Sequence, residues 1–247
     1  CMSTVSVIEK GSSSRRARRD NNTTSTSNPR IAQIDMCLFF PRAKKKSIEY
    51  FNMDRKSSAK VNTSVKYRRI DFGGSKNQQR VEIADYIDNV LRFNIAMGKT
   101  APVVYDIDAT LVDEHENVIA PIASVYRKYV NIVPTYIVTA RPDSKGNEAH
   151  TRAMLKRNKL DGYKGLYLMP THATDAAQFK WRKRVDIGRL CGAHPQVTVG
   201  DQSWDAASFP VSRELRDLCT SNHAGAIIEH SSGRGEIGVL LPDIPGA

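Results

Sequence analysis

The second half of the chain alternates between short apolar segments and longer amphipathic ones. Runs of β-branched and aromatic residues that end in polar residues predict buried strands. Such runs cover residues 102–107, 135–139, 165–169, 196–199 and 224–228. The segments between them predict helices over residues 120–130, 147–158, 175–190 and 212–219. Alternation of strand and helix predicts an α/β fold with a parallel sheet and helices on both faces.

A further helix is predicted over residues 77–97, directly before the first of these strands. Its apolar residues follow the spacing of three and four that is typical of one buried face. They are Val81, Ala84, Ile87, Val90, Leu91 and Ile95. Gly98 stands where a glycine commonly ends a helix.

The net charge of +11 lies in the N-terminal part of the 247-residue chain. Residues 1–100 contain 20 Lys and Arg against 9 Asp and Glu, whereas residues 101–247 contain 17 of each kind. Positive charge localised in this way is typical of proteins that contact phosphate-rich partners, nucleic acid most often. A solubilising tail is the alternative interpretation.

Composition divides the chain into three parts. Residues 1–30 are rich in Ser, Asn, Thr and Arg, and we expect them to be a disordered basic arm because they cannot bury enough apolar surface. Residues 31–76 are interpreted as a basic N-terminal extension, with a short strand or packing segment at 31–40 and an extended edge segment within 57–70. Residues 77–247 are the predicted folded domain.

Other features point to an intracellular, cytoplasmic setting without membrane association. The longest apolar runs are too short to span a bilayer, and the polar N-terminus lacks a signal-peptide pattern. The four cysteines have neither zinc-site nor disulfide-framework spacing, which favours a reducing environment.

Two acids follow the first predicted strand, Asp106 and Asp108, with Thr110 two residues later. In open α/β sheets, chemistry gathers at the carboxyl ends of the strands. One of the two carboxylates could attack phosphorus or hold a cation, and the other could move a proton. An Asp-rich turn exposed to solvent is the alternative interpretation of this stretch alone.

Polar residues near other strand ends could bind phosphoryl oxygens. Thr139 offers a hydroxyl and a backbone N–H, and Arg141 offers a charged fork. Lys180, near the start of the helix at residues 175–190, could reach over the strand ends.

The strand at residues 196–199 is followed by a further acidic pair. Gly200 allows a sharp turn, and Asp201 and Asp205 follow it four residues apart. Hard oxygen ligands of this kind suit Mg²⁺.

The ordered set of motifs resembles the haloacid dehalogenase-like (HAD) phosphohydrolase superfamily, and most closely its acid-phosphatase-like branch, subfamily IIIB. Residues 106–110 are similar to its Asp-x-Asp-x-Thr motif, and residues 139–141 to its Thr-Gly-Arg motif. Residues 166–170 are similar to its Leu-x-Leu strand with a following Pro, and residues 179–184 to its Tyr-Lys-x-x-x-Arg helix. Residues 200–205 resemble its last acidic motif. The resemblance covers about residues 80–245.

The resemblance implies a Rossmann-like, doubly wound sheet and a Mg²⁺-dependent phosphomonoester hydrolase that acts through an aspartyl-phosphate. It implies that Asp106 is the nucleophile, that Asp108 is the general acid and base, and that Thr110 pins the loop between them. The implied metal ligands are Asp106, the backbone carbonyl of Asp108, Asp201 and Asp205. The implied phosphate-binding residues are Thr139, Arg141 and Lys180.

The segments between the motifs are too short for a large cap domain, so we expect an open site unless the N-terminal part of the chain covers it. Phosphomonoesters, including nucleotides and phosphorylated nucleic-acid ends, are the expected substrates, and nucleic acid is a possible partner of the basic N-terminal region. The alternative is a nucleic-acid-binding protein whose phosphatase-like domain is structural or vestigial.

Overall fold

The computed structural model describes residues 45–46, 67–206, 225–230 and 237–242. These residues form one sheet of eight strands, together with five helices. The strands are β1 (Lys45–Lys46), β2 (Tyr67–Asp71), β3 (Val103–Tyr105), β4 (Thr135–Pro142), β5 (Gly165–Met169), β6 (Val197–Gly200), β7 (Ala226–His230) and β8 (Ile237–Leu240). The helices are α1 (Lys76–Ala96), α2 (Ala120–Tyr129), α3 (Lys145–Arg157), α4 (Ala176–Cys191) and α5 (Ser203–Ala206).

The strand order across the sheet is β1-β2-β7-β8-β6-β3-β4-β5. The strands from β8 to β5 run parallel to one another, and the remaining pairs at the other edge are antiparallel. In the register of the central strands, Tyr105 lies between Ile137 and Val199. The predicted α/β fold with a largely parallel sheet is confirmed.

The strand predicted at residues 224–228 corresponds to β7, but the expectation that it joins the parallel sheet is wrong. β7 pairs antiparallel with β8, a strand that the sequence patterns did not predict. Only six residues, 231–236, separate these two strands. A parallel crossover needs a dozen or more residues, so neighbouring strands joined this closely run antiparallel.

β2 lies within the predicted N-terminal extension and pairs antiparallel with β7. It confirms an extended segment near the end of residues 57–70, although β1 covers its outer side, so β2 is not the edge strand. The predictions for residues 1–30, for residues 31–40 and for the helix at 212–219 lie outside the described residues.

The four longer helices begin and end within two residues of their predicted bounds. The Ser75 hydroxyl accepts a hydrogen bond from the Gln78 backbone at the start of α1. The Asp175 carboxylate does the same for Gln178 at the start of α4, and Gly192 ends α4 in the left-handed conformation. No helix in the described ranges combines the length and the apolar character needed to cross a membrane.

Buried apolar residues cover both faces of the sheet. Because successive side chains in a strand point to opposite faces, Val103 and Tyr105 pack on one side and Val104 on the other. The first face is covered by α1, α2 and α3, through residues that include Ile87, Tyr126 and Met154. The second face is covered by α4, through Phe179 and Ile187. The predicted helices on both faces are therefore present.

One residue of the predicted buried face of α1 is placed differently. Val81 is 48% exposed, whereas Ile83, Ile87 and Leu91 are fully buried. At 3.6 residues per turn, Val81 lies about 120° around the helix from Ile87, which puts it beside the buried face rather than within it.

Truncation of Ile87 should therefore be far more costly than truncation of Val81. We expect Ile87→Ala to lower the free energy of unfolding by about 2–5 kcal/mol, because it leaves a cavity in the core. Val81→Ala, the control in the same helix, should change it by less than about 0.5 kcal/mol. Urea unfolding followed by circular dichroism measures both values, and equal losses would contradict this account of the core.

Candidate active site

The strand order reverses around β3. Going along the chain, β4 and β5 are added on one side of β3, and then β6 is added on the other side. The helices that make these two sets of connections pack on opposite faces. The carboxyl ends of β3 and β6 lie side by side there, and the Asp106 backbone N–H donates to the Val199 carbonyl at 2.9 Å. Open α/β sheets bind ligands at such a position.

Three carboxylates meet at this point. Asp106 follows β3, Asp201 follows β6, and Asp205 lies on α5. One oxygen from each lies within 4.8 Å of the others. Asp106 Oδ1 and Asp205 Oδ2 are buried and have no hydrogen-bond partner among the described residues. The predicted convergence of these acids is confirmed, and the group could hold a metal ion.

Lys180 reaches the same cluster from α4, on the second face of the sheet. Its Nζ atom lies 3.0 Å from Asp106 Oδ2 and 2.7 Å from Asp205 Oδ1, and the side chain is only 1% exposed. One ammonium group faces three carboxylates, which leaves two formal negative charges if all of them are ionised. A divalent cation would neutralise that remainder.

The pKa values of the buried groups reflect this crowding. Burial, and next the charge of Asp205, raise the pKa of Asp106 to about 7, although Lys180 acts in the opposite direction. Burial also raises the pKa of Asp201. For Lys180, burial alone lowers the pKa, but Asp205 and Asp106 outweigh it and raise the pKa above its usual value. The cluster therefore favours binding of positive charge.

Local packing fixes α5 against β6. A Cβ atom at Gly200 would lie 2.2 Å from the Cβ atom of Asp205, so only glycine allows Asp205 to approach this closely. Arg184 of α4 donates to the Trp204 carbonyl at 2.7 Å and to the Asp205 carbonyl at 3.5 Å. Thus α4 both supplies Lys180 and holds the backbone that carries Asp205.

The second acid, Asp108, points away from the cluster. Its side chain is 54% exposed, whereas that of Asp106 is 7% exposed. Arg141 holds the Asp108 carboxylate through Nη2 to Oδ1 at 2.7 Å and Nε to Oδ2 at 3.0 Å. The buried hydroxyl of Thr139 accepts a hydrogen bond from the Arg141 backbone at 3.3 Å. The predicted phosphate ligand Arg141 is therefore engaged with an acid in this structure.

The loop from Asp106 to Thr110 is held mainly through its backbone. The Ile107 carbonyl accepts a hydrogen bond from the Thr110 N–H at 3.3 Å. The buried Thr110 hydroxyl has no partner among the described residues, so no side-chain hydrogen bond there corresponds to the implied pin. Ala109 has a left-handed backbone with φ of +53°, and its carbonyl accepts from both Arg80 Nη atoms at 3.4 Å.

Sequence reasoning missed two residues at this site, Arg80 and Glu116. Arg80 lies on α1, where a lone arginine in an amphipathic helix gives no signal of burial, yet it is 3% exposed. Glu116 approaches Arg141 at 3.7 Å from a turn after the loop. The signal that could have indicated Glu116 is a glutamate within a short turn between two apolar segments.

No protein-family model matches the chain, and a search of curated proteins finds no match. The function is therefore inferred from the site.

The raised pKa of Asp106 predicts a pH-dependent stability in the absence of metal. Because the usual pKa of Asp is about 3.9, the folded state binds more protons than the unfolded state between about pH 4 and 7, so the contribution of Asp106 to stability falls as pH rises. Asp106→Asn removes this dependence. The free energy of unfolding of the variant, compared with that of the unaltered protein, should therefore increase as pH rises through that window.

Urea unfolding in the presence of a chelator, from pH 4.5 to pH 8, measures this difference. Asp161→Asn, a change at an exposed acid, is the matched control and should follow the unaltered protein. A constant difference between Asp106→Asn and the unaltered protein would show that Asp106 does not titrate in this range.

Proposed function

We propose that this chain is a Mg²⁺-dependent phosphomonoester hydrolase of the HAD-like, acid-phosphatase-like type, which acts through an aspartyl-phosphate on Asp106. The observation that carries this conclusion is the buried cluster of Asp106, Asp201 and Asp205 around Lys180, at the ends of neighbouring strands. The reversal of strand order around β3 and the helices on both faces support a Rossmann-like, doubly wound arrangement.

The donor set fits Mg²⁺. It consists of carboxylate oxygens, and two of them, Asp106 Oδ1 and Asp205 Oδ2, are buried without a partner among the described residues. Mg²⁺ prefers oxygen ligands and keeps several waters. Asp106, Asp201, Asp205 and the backbone carbonyl of Asp108 would hold the ion. When bound, it would reduce the repulsion between Asp106 and a phosphate dianion and orient the phosphoryl group.

Asp106 is suited to attack phosphorus. Lys180 holds Oδ2 at 3.0 Å, whereas Oδ1 has no partner among the described residues. With one of these oxygens on the metal ion, the other would be the nucleophile. Burial and the charge of Asp205 raise the pKa of Asp106, and the ammonium charge of Lys180 opposes this rise and so supports the ionised, nucleophilic form of the carboxyl group. Attack forms an oxygen–phosphorus bond to Asp106 and breaks the bond from phosphorus to the leaving oxygen.

Asp108 is suited to move the proton. Its carboxyl group lies one residue beyond Ile107, on the exposed side of the loop, where a leaving group can arrive from solvent. In the first step Asp108 acts in its protonated form, with one oxygen released from Arg141 to carry the proton, and gives this proton to the leaving oxygen. In the second step it takes a proton from the water that attacks phosphorus, and the bond from phosphorus to Asp106 breaks to regenerate the carboxylate.

Lys180, Thr139 and Arg141 are the groups that would stabilise the phosphoryl oxygens as charge redistributes. Lys180 lies within the cluster, and the Thr139 side chain is fully buried within β4, two residues before Arg141. Arg141 would contact a phosphoryl oxygen only by sharing or exchanging its present partner, Asp108.

The surroundings of Asp108 favour an open site. Between Thr110 and Lys180, a stretch that is described throughout, the chain forms α2, β4, α3, β5 and connecting turns, without an inserted domain. Substrates could therefore range from small phosphomonoesters and nucleotides to phosphorylated nucleic-acid ends.

Nucleic-acid binding by the basic N-terminal region remains a prediction. The complete set of charged groups at the strand ends favours a hydrolase over a binding protein with a vestigial domain.

The proposed nucleophile gives the first test. The unaltered protein should hydrolyse p-nitrophenyl phosphate with Mg²⁺ and lose this activity in excess chelator. Asp106→Asn should abolish turnover, because an amide cannot attack phosphorus, while Asp161→Asn should leave it unchanged. Release of p-nitrophenol measures the rate. Turnover that survives in Asp106→Asn, or its absence on a panel of monoesters and nucleotides, would refute the proposal.

The division of roles between the acids gives a second test. Asp108→Asn should lower turnover by about 10²–10⁴-fold, since it removes the group that transfers the proton. It should retain most of the affinity for Mg²⁺, because its implied ligand is the backbone carbonyl. Asp201→Ala should lose metal affinity, and calorimetric titration of each variant with Mg²⁺ compares them. Equal loss of affinity in both variants would contradict these roles.

A further inference from the structure

The short turn at residues 113–117, after the loop that carries Asp106 and Asp108, has a glutamate, Glu116, at a position that usually holds a smaller residue. The Asp113 N–H donates to the Asn117 carbonyl at 2.9 Å, and the Glu116 N–H donates to the Asp113 carbonyl at 3.0 Å. Glu116 has a left-handed backbone with φ of +62°. Short loops of this kind favour Gly or Asn at the left-handed position, because a Cβ atom there lies too close to a backbone carbonyl and Asn offsets this cost by local hydrogen bonding.

The turn is stabilised without the Glu116 side chain. The Asp113 carboxylate accepts hydrogen bonds from the backbone N–H groups of His115 and Asn117, at 2.9 Å and 2.7 Å. Local conformation therefore gives no reason for a glutamate at position 116. The reason has to lie in what its carboxylate contacts.

Three cationic or potentially cationic side chains surround that carboxylate. His150 Nε2 lies 2.6 Å from Oε1, and Arg157 Nη2 lies 2.8 Å from Oε2, both from α3. Arg141 Nη1, from the end of β4, lies 3.7 Å from Oε1. The hydrogen bond from His150 is the largest of several influences that lower the pKa of Glu116, so it stays ionised at neutral pH.

Arg141 connects Glu116 to Asp108. Two of its nitrogen atoms, Nε and Nη2, bind the Asp108 carboxylate, and the third, Nη1, faces Glu116 and lies 3.5 Å from the Thr151 hydroxyl. A guanidinium group is planar and rigid, so a contact on one side sets the direction of the other side. The position of Asp108 thus depends on Arg141, and that of Arg141 depends in part on Glu116.

We propose that Glu116 is a positioning residue for the reaction, which holds Arg141 so that Arg141 keeps the Asp108 carboxyl group on the leaving-group side of the site. The role rests on the proposed hydrolase function. Glu116 does not touch the reacting atoms, and it acts on the proton transfer to the leaving oxygen through Arg141 and Asp108.

This role has a consequence that depends on the leaving group. An alkyl phosphate expels a strongly basic oxygen and needs the proton from Asp108, whereas p-nitrophenyl phosphate expels a stable phenolate and needs it much less. The value of kcat/KM reports the steps from substrate binding up to departure of the leaving group. A defect in Asp108 placement should therefore lower kcat/KM for the alkyl ester more than for the aryl ester.

Two variants distinguish an effect of Glu116 on the position of Arg141 from an effect on the conformation of the turn. Glu116→Gln keeps the shape and removes the charge, and Glu116→Gly removes the side chain and relieves the backbone strain. Each should lower kcat/KM for a simple alkyl phosphate by about fivefold, in keeping with a partly exposed ion pair. The value for p-nitrophenyl phosphate should hardly change. Glu148→Gln, which breaks a surface ion pair with Arg152 on α3, is the matched control and should leave both values unchanged.

Nuclear magnetic resonance gives a readout that does not depend on turnover. The Nε–H signal of Arg141, assigned by its loss in Arg141→Lys, should exchange with solvent faster in both Glu116 variants than in the unaltered protein. Glu116→Gly should unfold at the same or a higher temperature, because its turn is relaxed.

The positioning role would be overturned if the Glu116 variants changed neither the ratio of kcat/KM for the alkyl ester to kcat/KM for the aryl ester nor the exchange rate of the Arg141 Nε–H. The hydrolase function would be unaffected by that result. Equal losses for both esters together with lost stability would also overturn the positioning role, since the residue would then be structural only. A protein that hydrolyses no monoester, whatever the Arg141 signal, would overturn the role together with the proposed function.

Discussion

The contact of Lys180 with Asp106 and Asp205 is the interaction on which the site depends. An ammonium group that is 1% exposed would be strongly destabilising without partners, and each carboxylate here would be costly without the ammonium. The three groups come from α4, from the end of β3 and from α5. They can neutralise one another only when the helix on one face and both strand ends are in place, so assembly of the site and of the core are coupled.

The topology explains why these groups meet. The chain builds β3, β4 and β5 in one direction and then returns through α4 to place β6 beside β3. The carboxyl ends of β3 and β6 are therefore adjacent in the sheet although they are far apart in sequence. Since α4 makes this return, its second turn passes near both ends, and Lys180 needs no separate element to reach the carboxylates.

Sequence patterns could predict the parallel centre of the fold because its strands are buried on both faces, as the run from Val103 to Tyr105 illustrates. They could not predict the direction of β7, since a run of apolar residues does not encode which neighbour it pairs with. Residue types and motif order were enough to predict the meeting of Asp106, Asp201 and Asp205. They were not enough to identify Arg80 or Glu116, whose importance depends on contacts with residues distant in sequence.

Asp106 and Asp108 lie in different environments although they are only two residues apart. Asp106 continues directly from β3, so its side chain lies under α4 and α5, where burial raises its pKa. Ile107 points into the core, and Asp108 falls on the exposed side, where it meets Arg141 rather than Lys180. The next residue, Ala109, has a left-handed backbone conformation that turns the chain after Asp108, and its carbonyl accepts a hydrogen bond from Arg80. Because the two carboxyl groups have different cationic partners and different access to water, a change at one need not disturb the other. The roles that we propose for them, nucleophile and proton donor on one short loop, require that independence.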